Sequence, residues 1–220
     1  MRSVATFKEL SFKKKVGFIW DYYKYQILLT LLCIVFFVSQ INNVLTHKEP
    51  LMSVIMVNLY NTESEECPKG FSVFLDQYEY ESYDGAIELI DQIHITDNVN
   101  KTADVQNLQF LLTMLIAENP EVYLGPRDLL QNYASHGYFA DISAIVPDQY
   151  IEEYQDRLIY AEIEDTEERI LVGVSLEGNK WLKDNHYEYE ECYFGVPSTV
   201  DNLQIAKEFV EYIIAIEFTS

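Results

Sequence analysis

The sequence predicts an α/β domain carried behind one membrane-spanning helix, and three observations lead there. One long uncharged apolar run, Ile27–Leu45, lies near the start of the 220 residues. Beyond it, β-branched apolar segments alternate with segments of helical period, the order that gives a mainly parallel sheet covered by helices in three layers. The chain is 49% apolar and 14% aromatic, enough for a core, so its net charge of −21 is not that of a disordered acidic tail.

The charge is divided unevenly. Residues 1–26 hold six basic side chains and two acidic ones, whereas residues 46–220 hold nine basic and thirty-four acidic. Nineteen uncharged residues at about 1.5 Å rise span roughly 28 Å, close to a bilayer core. Trp20, Tyr22, Tyr23 and Tyr25 precede them where an aromatic belt belongs. A cleaved signal peptide would be shorter and end in small residues, and Ser39-Gln40-Ile41 is a poor cleavage site. Cys33 lies inside the apolar run, out of place for a lipoprotein anchor. The positive-inside rule then places residues 1–26 in the cytoplasm and the acidic part outside the cell membrane. Phe7, Leu10, Phe12, Val16, Phe18 and Ile19, interleaved with Lys13–Lys15, predict a short interfacial helix on the anionic inner leaflet, so the lipid bilayer is the first expected partner. The expected organisation is 1–26 cytoplasmic, 27–45 spanning, 46–52 linker and 53–220 extracytoplasmic domain.

Within that domain Ser53–Tyr60 is apolar on both faces, the pattern of a buried strand. Phe71–Gln77 has helical spacing, Tyr78–Asp84 is ambiguous, and Ala86–Ile95 reads as a second strand, with a helix fitting nearly as well. Val105, Leu108, Leu111, Leu112 and Leu115 predict a helix over Asp104–Asn119, capped by Thr102 or Asp104 and stopped by Pro120. A short strand, Glu121–Leu124, leads through Gly125-Pro126 to a helix over Arg127–Ser135 that ends at Gly137. After an apolar turn, Tyr138–Val146, Pro147 opens another helix, and Arg157–Ile163 with Glu168–Leu176 read as a hairpin. A helical turn around Trp181, a strand over Glu190–Val196 and a final helix over Asn202–Ile216 complete the chain, the last with Leu203, Ala206, Phe209, Val210 and Ile213 inward.

The strand VIMVNLY, the long helix and the stretch VYLGPRDLLQNYASHGYFADISAIVPDQY resemble the extracellular solute-binding proteins of bacterial ABC importers. Val122–Leu124, Asp128–Ser135, Gly137, Tyr138–Phe139 and Asp141-Ile142-Ser143 fall in that family's order of strand, helix, glycine, aromatic turn and hydrophobic segment. RILVGVSL, YFGVPST and the helix with KEFVEYI extend the likeness over residues 53–215. It implies a domain like one lobe of a periplasmic-binding-protein fold, its second lobe reduced or missing, that binds a small solute or a partner protein without catalysis. A different class is a structural or accessory subunit of a membrane transporter or cell-envelope complex, with no small-molecule ligand.

Phosphate-cradling, dinucleotide, zinc-protease and serine-hydrolase motifs are absent, the four histidines stand far apart, and no enzyme, cofactor or metal is expected. The acidic balance argues against nucleic acid. Ligands of open α/β sheets bind at the carboxyl ends of the strands, which nominates Asn61, Thr62, Gly125, Arg127, Ser198 and Thr199. Arg127, a rare cation at a helix start, is the sharpest of these, to be weighed against an ordinary surface arginine. Cys67 and Cys192, the only cysteines of the domain, leave a disulfide and two free thiols both open. The runs YEYESYD and YEYEE (Tyr187–Glu191) offer a cation- or partner-facing surface, to be weighed against a solvated acidic face.

Overall fold

The computed structural model describes residues 12–46, 48–62, 69–82, 85–96, 102–117, 120–164, 166 and 168–218. They form two units, Met1–Lys48 and Glu49–Ser220. The first is one helix, α1 (Phe12–Thr46), of 35 residues. Its stretch Trp20–Ser39 is long and apolar enough to cross a membrane, and none of that stretch is buried in protein. Leu28, Leu32, Val35 and Phe36 are each more than half exposed, as lipid-facing side chains would be. The sequence sets a separate interfacial helix before the span. From Phe12 onward the helix is instead continuous with it, because no proline interrupts the backbone hydrogen bonds there. Residues 1–11 lie outside the described residues.

The second unit is built on a six-stranded sheet of order β3-β1-β4-β8-β6-β5. β1 (Met52–Val57) is buried at every residue and central, with β3 (Ile87–Ile93) and β4 (Val122–Gly125) parallel on either side. Four strands point one way. β8 (Tyr193–Gly195) runs against both β4 and β6 (Arg169–Ser175), and β5 (Leu158–Glu162) runs against β6. The sheet is therefore mixed. The short Ile163–Glu168 turn forces the β5–β6 pair antiparallel, as the hairpin pattern predicts. Val172 is an extra residue opposite the Ile159/Tyr160 step, and it lets Leu171 and Val174 face one core while Val172 faces the other.

Helices cover both faces. Met52, Val54, Met56, Val122 and Leu124 pack with α2 (Lys69–Gln77), α6 (Lys180–Asp184) and α7 (Leu203–Phe218). Here Phe71, Phe74, Trp181 and Phe209 interlock edge to face at 5.0 to 5.4 Å, each such pair adding about 0.5–1.5 kcal/mol to the burial of its rings. Asn179 ties α6 to α7, accepting from Leu182 N and donating to the Ile213 carbonyl. On the opposite face Ile55, Val57, Tyr123 and Ile159 meet α3 (Thr102–Ala117) and α4 (Arg127–Ser135). α4 ends in a Schellman turn: Gly137 at φ 82° donates to Ala134 O, Tyr138 donates to Tyr133 O, and their two rings meet at 6.1 Å. α5 (Asp148–Glu153), opened by Pro147, buries Tyr150 beside the sheet.

Two expected helix faces are corrected. On α3 the buried residues are Asp104, Leu111 and Leu115, while Val105 is 44% exposed. The buried Asp104 carboxylate accepts from Thr96 N and Thr96 Oγ1, which turns the helix away from a Val105-centred face. On α7 Leu203 is 45% exposed, because the inward face begins at Ile205.

Candidate functional site

The carboxyl ends of β1, β3 and β4 open into a cavity of about 480 Å3. Its floor is set by Asn58, the residue after β1. Asn58 sits at φ 59°, a region that asparagine tolerates better than most side chains. Its Oδ1 accepts from Ile95 N at 2.8 Å and its Nδ2 donates to Ile95 O at 2.7 Å, so the side chain continues the β1–β3 ladder one step past the strands. Ile95 and Thr96 are thereby held at the cavity wall, with Thr96 anchored on Asp104.

The opposite wall is a two-stranded ribbon. β2 (Tyr60–Asn61) pairs antiparallel with β7 (Tyr187–Glu188), Tyr60 opposite Glu188 and Asn61 opposite Tyr187. Thr62 extends the ribbon by donating both N–H and hydroxyl to His186 O. Alternation along a strand puts Tyr60 and Glu188 together on the cavity face and the buried Tyr187 on the other. The Tyr60 ring lies on the His94 ring at 4.6 Å and 12°. Tyr189, its hydroxyl donating to Leu176 O, follows with Glu190 and Glu191, and Pro126 completes the rim.

The nominated residues divide. Gly125 is at this end, adjoining Pro126 of the rim, and Asn61 and Thr62 build the ribbon without lining the cavity. Arg127 is exposed; its N–H donates to Glu191 Oε1 at 3.1 Å and its Nε to Gln131 Oε1 at 3.2 Å. The helix start expected to welcome an anion already carries the chain's own carboxylate. Ser198 and Thr199 lie at the other end of the sheet, since β8 runs antiparallel to β4 and its exit is where β4 enters. There Ser198 N donates to Tyr138 O and Thr199 Oγ1 to Leu115 O, at the last turn of α3. Cys192 is buried as a free thiol, and burial pushes its pKa far up, so it is no nucleophile. Cys67 lies outside the described residues.

Reading the sequence missed Asn58, Tyr60, Ile95, Thr96 and the Glu188–Glu191 run as one site. The run was visible, as a solvated face or a cation- or partner-facing surface, but not as part of this site, because the pairing that closes it joins residues 128 apart.

One other polar constellation forms. Ser135 Oγ is 3.2 Å from His136 Nδ1, and His136 Nε2 is 3.5 Å from Glu164. Nδ1 is also 2.7 Å from Asn132 O, a contact that requires a proton on Nδ1. That nitrogen cannot accept from the serine, whose hydroxyl instead donates to the same carbonyl at 2.8 Å. Both side chains are exposed on α4's last turn, and the arrangement activates nothing.

Comparison with known proteins finds no matching family model, no curated relative and no solved structure of significant similarity.

Proposed function

We propose that residues 49–220 form a non-catalytic binding module, a reduced relative of the extracellular solute-binding proteins, which takes a small solute in the crevice at the ends of β1, β3 and β4. α1 would anchor it as a single-pass protein of the cell membrane, N-terminus in the cytoplasm and module outside. The observation that carries this reading is the cavity itself. At about 480 Å3 it has small-molecule size and sits at the carboxyl ends of the parallel strands, where open α/β sheets bind their ligands.

A second reading, an accessory subunit docked on a membrane complex, draws on α3. Val105, Phe110 and Ile116 are each 40% exposed or more, and no charged side chain occurs from Val105 to Ala117 in this otherwise acidic domain.

A thermal-shift screen of the full chain in detergent micelles against amino acids, sugars, peptides and amines separates the two. A ligand at a hundred times its dissociation constant adds about 2.7 kcal/mol of stability. A flat screen on a cooperatively melting protein would reject the solute reading. A photo-crosslinker at Phe110 in membranes would then be expected to capture one defined neighbour.

A further inference from the structure

We propose that the crevice selects an organic cation, a small amine or quaternary ammonium. This rests on the solute-binding reading and names its ligand class. The walls of the cavity are chemically one-sided: Glu188, Glu190 and Glu191 stand in it, and among the described lining residues none is basic. Glu191 is engaged by the Arg127 N–H. Glu188 is the cross-strand partner of Tyr60, which sets a carboxylate and an aromatic ring side by side on one face of the ribbon. One face of that ring rests on His94, yet Tyr60 remains 51% exposed. Ring quadrupole and carboxylate both attract positive charge, and together they bind a cation whose hydration shell is weak.

The alternatives meet specific penalties. Carboxylates are the only charged groups an anion would meet among the described lining residues, and an apolar solute would strip water from them without compensation. For a metal ion, no group of three His, Cys, Asp or Glu side chains comes together among the described residues. An organic cation needs only one or two carboxylates and a ring. The net charge of −25 over residues 46–220, nine basic against thirty-four acidic, raises the local concentration of such a solute.

The test uses the full chain in dodecyl maltoside micelles, titrated with choline, spermidine, succinate and 3,3-dimethylbutanol, the uncharged isostere of choline. Saturable binding of choline or spermidine is expected, with the isostere weaker by about tenfold or more. Tyr60→Leu should weaken the cation about two- to fivefold, and the pair Glu188→Gln/Glu190→Gln about tenfold. The pair Glu152→Gln/Glu153→Gln, exposed on α5, removes the same charge elsewhere and should leave binding unchanged. Equal weakening by both pairs would overturn the proposal, because the cation would then be held by the general acidity of the domain. If succinate or the isostere binds and is lost with Tyr60→Leu while neither cation binds, the cation assignment falls and the solute reading stands. If no probe binds up to millimolar concentration, the cation assignment falls, and the thermal-shift screen against amino acids, sugars and peptides decides whether the solute reading falls with it.

Discussion

Asn58 is where the fold and the crevice are joined most directly, and replacing it tests the whole construction of the site. Asn58→Ala deletes two hydrogen bonds of 2.7 and 2.8 Å to Ile95. Partly buried bonds of this kind contribute about 0.5–1.5 kcal/mol each, and their loss leaves Ile95 N–H and C=O to find water. Alanine at φ 59° adds roughly 1 kcal/mol of backbone strain. The expected loss is about 2–4 kcal/mol, large against the usual stability of a domain. Asn58→Gly also loses both bonds but accepts the positive φ, so it should recover about 1 kcal/mol relative to alanine. Urea unfolding of the full chain in micelles, followed by the fluorescence of the buried Trp181, reads the stability. Hydrogen exchange reads the site, where the Ile95 amide should lose protection in both variants while the Val122–Gly125 amides keep theirs. An alanine variant within about 0.5 kcal/mol of the parent, or a glycine variant less stable than alanine, would refute the account of the crevice floor.

Two other perturbations follow from the packing and the electrostatics. A Cβ on Gly195 would come 2.7 Å from Leu130 Cδ1 and 3.2 Å from the Val172 carbonyl. Gly195→Ala should therefore cost about 1–3 kcal/mol, and Leu130→Val in the same chain should recover part of it, a coupling that a double-mutant cycle of urea midpoints would detect or exclude. At the far end of the sheet the Glu121 carboxylate accepts from Ser53 N at 2.7 Å; burial raises its pKa above 4.5, the Ser53 N–H partly offsets that, and Asp201 adds to the rise. The folded state thus holds this proton more tightly than the unfolded chain. Its stabilisation is complete below pH 4.5 and is lost as pH rises through the folded value. Glu121→Gln should gain on the parent as pH rises across that window; a stability difference that stays flat with pH would rule the linkage out.

The sequence by itself determined the elements whose cause is local. Ile27–Leu45 announced an apolar helix by length and charge alone, and α4 was readable to the residue from Pro126 at its start and Gly137 past its end. The β5–β6 hairpin, too, followed from two apolar runs and a short acidic turn. The position of the crevice was legible in general terms, since strand ends are where such sheets bind, but none of the six nominated residues lines it, and two of them, Ser198 and Thr199, lie at the other end of the sheet. Ser198 and Thr199 were misplaced because strand direction is not a property of a strand's own residues: YFGV would serve equally well parallel or antiparallel, and only its fit between β4 and β6 decided. Val105 belongs to the apolar spacing that predicts α3 yet is exposed, because such spacing fixes a stripe only to within one residue per turn. The Asp104–Thr96 contact, made outside the helix, chose among the stripes. Tyr60 and Glu188 carry no mark in sequence that they belong together. Local chemistry writes helices, turns and spans, whereas a site assembled from backbone pairing across 128 residues exists only once the intervening sheet has closed.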